Sequence, residues 1–281
     1  MGFLISSILC SVLVSVLLKV ARPKQINLAV AIMVNYIVCA TLTWFVLSPT
    51  ITADTVRTGA WIFGALGILL PSIFLVMGKS VESAGIVKSD TAQRLALIIP
   101  IIASFTLFGE ALNTNKAIAL VLVFVAMGCL LYKKSNSHKS AHTPHANLWL
   151  VGVFVGYGVI DVLLKQLSKM GSATAGNLMI SFSLALVVMV AYLIVKKIKP
   201  TPVSIAGGIL LGILNFANIY TYISAHKAMS DTPTLVFAGM NMGVIVLGAL
   251  TGLLIFKEKL SAINALGIII ALIAITKLYL L

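Results

Sequence analysis

Charge is what this chain has least of. Asp, Glu, Lys and Arg make up 10% of its 281 residues, against about 25% in a soluble domain. With 60% hydrophobic residues and a mean hydropathy of +1.11, it lacks the polar side chains to wrap its apolar mass in a water-facing shell. That excludes a soluble globular protein and leaves an integral membrane protein. Cysteine is scarce as well. Cys10, Cys39 and Cys129 lie far apart in apolar runs, which excludes a disulfide framework and a metal-ligand spacing. No HExxH or paired-aspartate signature is present, and no Ser or Cys stands at a spacing that a histidine base would serve. An intramembrane enzyme is therefore the lesser reading, and no cofactor is expected. Period-two alternation is missing from the apolar runs, which excludes a β-barrel. The longest connector has fourteen residues, too few for the exposed domain of a receptor.

What is present is a series of apolar runs. About 20 apolar residues span a bilayer as a helix, and that length predicts ten helices. They are Gly2–Val20, Asn27–Leu47, Thr58–Gly78, Ile86–Phe108, Asn115–Tyr132, Asn147–Ser168, Thr174–Val195, Val203–Ala225, Thr232–Phe256 and Ala262–Leu281. The first run has no basic segment or small-residue cleavage site and is read as a retained helix. The connector Lys133–Ala146 holds His138, His142 and His145. Their place in a Ser- and Pro-containing loop favours a solvated linker over a metal site.

The net charge of +13 sits mostly in connectors, so it reads as a topology signal and not as a nucleic-acid surface. The odd-numbered chain reversals collect thirteen Lys and Arg, the even-numbered reversals and the termini six, and Arg94 falls inside a span. Positive residues favour the cytoplasmic side. The expectation is a cell (plasma or inner) membrane protein with both termini extracytoplasmic.

The chain repeats itself near a period of 148. Leu107-Phe108-Gly109-Glu110-Ala111-Leu112 answers to Ile255-Phe256-Lys257-Glu258-Lys259-Leu260, and Gly78-Lys79 to His226-Lys227. Five helices end on the side opposite their start, so two tandem copies have inverted topology. The fold expected is all-α, with ten transmembrane helices in two inverted five-helix repeats, 1–134 and 147–281, joined by a polar linker, 135–146. Inverted repeats place a substrate site between the halves near the membrane midplane.

At these residues the sequence resembles the drug/metabolite transporter superfamily, in particular its EamA-type ten-helix members. The resemblance spans the chain. It rests on Glu110 and Glu258, each followed by Leu two residues on and by an apolar helix, and on the small polar turns Ser80–Gly85 and Ser230–Thr234. It implies export or exchange of small metabolites, amino acids among them, through a central cavity lined by both halves. Members with cytoplasmic termini are common, and the charge count here points the other way. A basic residue at the positions of Lys79 and Lys227 is common in that family, so both are read as interfacial.

Polar side chains inside a membrane are costly and need a partner, a wet cavity or a function. The eighth span carries Asn215, Asn218, Tyr222 and His226 along one face, a candidate cavity lining or a set of interhelical hydrogen bonds. The fourth carries Asp90, Gln93 and Arg94; the guanidinium suits capture of a carboxylate or phosphate, or a structural pair with Asp90 four residues before it. The repeat sets Gln93 opposite Asn241, on a stripe with Thr234 and Phe237. In the sixth span Asp161 and Lys165, four apart, form either a charge pair or a coupling site, since a carboxylate that loses its water can carry a proton. Asn35 and Tyr36 in the second span complete the candidates. Glu110 and Glu258 are read as structural, each at the N-terminus of the helix that follows it. Gly64, Gly67, Gly207, Gly208 and Gly212 are read as points of close helix approach, and Pro71 and Pro100 as bends.

The function expected is secondary transport of a small polar or anionic metabolite, amino-acid-like or an organic anion, by alternating access. Sugar-phosphate or nucleotide-sugar exchange is the alternative, through Arg94, Lys79 and Lys227. The first span has Ser6, Ser7, Ser11 and Ser15 but no acid, which argues against cationic drug efflux of the small multidrug type. The expected partners are a small-molecule substrate and the lipid bilayer, with no nucleic acid, and the chain is taken as a monomer with a homodimer as the other state.

Overall fold

The computed structural model describes residues 1–21, 26–132, 145–255 and 261–280, and among these the chain forms eleven α-helices and no strand. They are α1 Gly2–Ala21, α2 Leu28–Leu47, α3 Ala53–Ala84, α4 Ile86–Leu95, α5 Ile98–Thr106, α6 Thr114–Leu131, α7 Ala146–Ser168, α8 Ala173–Val195, α9 Pro202–Ala228, α10 Pro233–Leu254 and α11 Ala262–Tyr279. Eight of them, α2, α3 and α6 to α11, are long and apolar enough to cross a membrane, and α1 is a further apolar helix. Phe45, Val187, Ile194 and Leu254 lie on the outside with more than half their surface exposed. Such an apolar exterior would aggregate in water and is at home in lipid. The protein is a multi-pass integral membrane protein.

Local chemistry sets the helix starts. Asn27, Thr52, Asn113 and Thr201 each stand in extended backbone and accept first-turn N–H groups through their side chains. Ser261 and Asn264 form a reciprocal capping box for α11. Pro202 and Pro233 take first-turn positions, where a missing N–H costs nothing.

Two spans differ from expectation. The third is longer, a 32-residue helix that runs unbroken through Pro71. The fourth is two helices, not one, with a turn at Ala96 and Leu97. Pro100 supplies the cause: it has no N–H for the carbonyl four residues back, and its ring crowds that carbonyl. The orphaned oxygen is that of Ala96, which takes the Ile99 N–H at 3.0 Å in a tighter turn.

Helix α9 packs on α1 and α2, and α3 packs on α7 and α8. Helix α1 meets α10, while α7 meets α4 and α5; α2 meets α8, and α6 meets α11. One continuous hydrophobic core joins residues of both chain halves. Close approach of α9 to α2 depends on Gly208 and Gly212. A Cβ at Gly208 would stand 2.6 Å from Val34 Cβ and 2.8 Å from the Ala31 carbonyl, and one at Gly212 2.6 Å from Val38 Cβ. Gly67 is pressed in the same way by Leu184, at 2.5 Å, whereas Gly64 has nothing within 4 Å and is no contact point. Overpacking of this kind costs about 1–3 kcal/mol. Gly212→Ala is therefore expected to lower the unfolding midpoint in detergent clearly, while Gly64→Ala leaves it unchanged or higher.

Candidate functional site

Helix α9 carries a polar stripe, and each member of it meets a different helix. Asn215 Nδ2 donates to Asn35 Oδ1 on α2 at 3.0 Å, and the Cys39 thiol points at the same oxygen from 3.7 Å. Asn218 Nδ2 donates to the Ser7 carbonyl on α1 at 2.8 Å, and Ser7 Oγ donates back to the Asn218 carbonyl at 3.2 Å. The Tyr222 hydroxyl donates to Asp161 Oδ1 on α7 at 3.2 Å. The His226 ring lies between those of Tyr222 and Phe237 of α10, with centroids 4.8 and 4.6 Å away, and neither of its nitrogens has a hydrogen-bond partner among the described residues. Asn215 and Asn218 thus act first as interhelical bonds, though both keep some accessible surface.

Asp161 and Lys165 do not pair. Spacing along one helix made them neighbours, but the fully buried Lys165 ammonium turns away and donates to the carbonyls of His226 at 3.3 Å and Ser230 at 3.1 Å. The end of α9 offers free carbonyls and a partial negative charge, and a lysine with three donors satisfies both. Asp161 is left with the neutral Tyr222 hydroxyl as its hydrogen-bond donor, and it remains only half-buried.

Helix α4, which packs on α7, carries a charge pair. Arg94 Nε stands 3.5 Å from Asp90 Oδ1, and the arginine is the more buried of the two. Gln93 is half-buried beside it. Tyr157, one turn before Asp161 on α7, lies in the electrostatic range of Arg94, Asp90 and Asp161, and it reaches Tyr36 of α2 in the same way. The Tyr36 ring packs 6.3 Å from Phe182, and its fully buried hydroxyl has no partner among the described residues. Helix α4 packs on α7, so the Asp90–Arg94 pair, Tyr157 and the Tyr222-bound Asp161 form one central group, with Tyr36 of α2 at its edge. Asn241 donates to the Phe237 carbonyl of its own helix at 3.2 Å.

Tyr157 and Ser7 were passed over in the sequence. The first had a readable signal, four residues from Asp161 on one helix face. The second was one serine among four in its span, with nothing to single it out.

Glu110 is structural at a helix N-terminus, as expected, but that helix is α10; the helix that follows it is reached through Lys116. Glu110 Oε2 accepts from the Thr234 N–H at 2.9 Å and the Thr234 hydroxyl at 2.6 Å, in the first turn of α10, and its Oε1 pairs with Lys116 Nζ at 2.9 Å. Thr232, in the cap position of α10, makes no side-chain cap bond. The open N–H groups and positive end of that helix draw in a carboxylate from the other half of the chain. Glu258 and residues 133–144 of the linker, His138 and His142 included, lie outside the described residues. Lys79 is exposed and paired with Glu82 at 2.8 Å, and Lys227 reaches the Gly171 carbonyl at 3.4 Å, so neither belongs to the central group.

Two outer grooves are also formed. One, of about 600 Å³, lies between α6 and α11 beside Asn115 and Lys277. The other, of about 410 Å³, lies at the end of α8. Neither includes a residue of the central group.

No family model matches the chain. An uncharacterized protein of Haemophilus influenzae (strain ATCC 51907 / DSM 11121 / KW20 / Rd) is 51% identical over 282 residues, covering 98% of this chain and 97% of that protein. A crystal structure of another protein superposes with a TM-score of 0.77 at 13% identity, covering 99% of this chain and 95% of that one. At that identity the likeness concerns the fold alone.

Proposed function

The chain belongs to the same protein family as its Haemophilus influenzae relative, and we propose that it is a secondary transporter of a small polar metabolite. The observation that carries this reading is Asp161, a carboxylate inside a spanning helix with only a neutral hydroxyl for a partner among the described residues. An ionisable group held within a membrane marks a substrate or ion path by default. Lys165 is engaged with backbone carbonyls and Arg94 with Asp90. The charge left to meet a ligand or a proton is therefore negative. Arg94, held by Asp90 at 3.5 Å with its Nε lacking a hydrogen bond, is placed to exchange that partner for a substrate carboxylate. An amino-acid-like substrate presents an ammonium to Asp161 and a carboxylate to Arg94, and this set favours it over an organic anion.

The transport cycle follows from the two halves. Their packing is reciprocal: α9 on α1 and α2 is answered by α3 on α7 and α8. That reciprocity, with the motifs repeated near a period of 148, supports two inverted five-helix repeats of the EamA type, which rock about the central group to expose it to one side at a time. The charge count of the connectors makes the side of the odd reversals cytoplasmic and both termini extracytoplasmic, and export or exchange is the direction proposed.

A thermal-shift screen of the purified protein against metabolite mixtures tests the reading, because a ligand stabilises the state it binds. The best ligand is then followed as flux in proteoliposomes. Arg94→Gln is expected to remove the ligand-induced shift and the flux while the ligand-free midpoint stays near that of the parent. A collapse of the ligand-free midpoint would instead make Arg94 a structural partner of Asp90.

A further inference from the structure

We propose that the end of α8 binds an anionic phospholipid, with Lys197 and Lys199 on its phosphate and the adjoining groove on an acyl chain. The site is independent of the central group. Its apolar wall is formed by Met33 of α2 with Val190, Leu193 and Ile194 of α8, and its rim by Lys197 and Lys199; no carboxylate among the described residues lines it. At about 410 Å³ it lies within the range of ligand clefts, roughly 300–1,000 Å³. Ile194 of that wall and the adjoining Val195 are among the most exposed apolar residues of the protein, at the end of a helix long and apolar enough to cross a membrane. Lysine stems lie along such apolar surface with the ammonium in the head-group layer.

The turn that carries these lysines is a second, separate observation. The Ile198 N–H donates to the Leu193 carbonyl at 3.0 Å and the Lys197 N–H to the Ile194 carbonyl at 3.1 Å. This is the helix-ending arrangement whose left-handed position usually belongs to glycine. Here it is Lys197, at φ 52°, one of two non-glycine residues with positive φ among those described. A lysine serving only as a topological charge needs neither a groove nor a left-handed backbone. In this place the turn folds Ile198 back toward Leu193 and sets Lys197 and Lys199 on one rim, beside the further positive charge of Lys196. Basic clusters at the cytoplasmic end of a span attract anionic lipid by about fivefold for each lysine.

The full chain, purified in detergent, is melted alone and with dioleoyl phosphatidylglycerol, dioleoyl phosphatidylcholine or glycerol 1-phosphate. Phosphatidylglycerol is expected to raise the midpoint and the other two are not. Lys197→Gln with Lys199→Gln should weaken phosphatidylglycerol binding by about fivefold per lysine. Lys197→Gly separates strain from binding: it should melt higher than the parent without lipid and gain less from phosphatidylglycerol. An undiminished gain in the double variant or in Lys197→Gly overturns the proposal. An equal gain from phosphatidylcholine does so too, and an equal gain from glycerol 1-phosphate makes the site one for a free anion.

Discussion

Asp161→Asn is expected to cut substrate flux in proteoliposomes by about tenfold or more, equivalent to at least roughly 1.4 kcal/mol of barrier, with folding intact. Asparagine has the shape of aspartate, and its carbonyl oxygen can still accept the Tyr222 hydroxyl that now stands 3.2 Å from Asp161 Oδ1. What the substitution removes is the charge. Lys165 loses nothing, since its ammonium is held by the His226 and Ser230 carbonyls. Tyr222→Phe takes away the hydroxyl and keeps the carboxylate, so its effect on flux should be smaller. Flux by Asp161→Asn at the parent rate and with the parent pH dependence would remove Asp161 from the transport path.

Glu110→Ala should be the most destabilising single change, at about 3–5 kcal/mol. The carboxylate is 7% exposed, accepts the Thr234 N–H and the Thr234 hydroxyl, and pairs with the Lys116 ammonium. Alanine leaves the first turn of α10 uncapped and a buried cation with only the Ala111 carbonyl, 3.0 Å away. Glu110→Gln keeps an acceptor for Thr234 and strands Lys116 alone, so it should fall between. Adding Lys116→Met to Glu110→Ala removes the stranded charge and should recover part of the loss, a coupling that a double-mutant cycle measures. A loss below about 0.5 kcal/mol, that of an ordinary surface change, would deny Glu110 this role.

The helices were legible because a bilayer demands long apolar runs, and a run reports on itself. So were the close approaches at Gly208 and Gly212, and Pro100 as a place of bending. Partners across the bundle were not. Spacing names neighbours on one helix, which led to Asp161 with Lys165, whereas the choice was made by carbonyls at the end of α9, 61 and 65 residues away in sequence. Glu110 shows the same limit: it is structural at a helix N-terminus, as expected, but the Thr234 it binds, in the first turn of α10, lies 124 residues from it. The stripe on α9 was visible as a stripe, but its division among α1, α2, α7 and α10 depends on the order in which helices stack around it.

The joint between α4 and α5 has a mechanical consequence. Gly158 of α7 lies against it so closely that a Cβ there would stand 3.0 Å from the Ala96 carbonyl and 2.7 Å from Ile99 Cβ. Gly158 is the residue after Tyr157 and one turn from Asp161. A change of angle between α4 and α5 must therefore push on α7 at that point. Arg94 on one arm of the joint and Asp161 on the helix it bears against are thereby linked through one tight contact, and Gly158→Ala is expected to alter flux by shifting the two relative to each other.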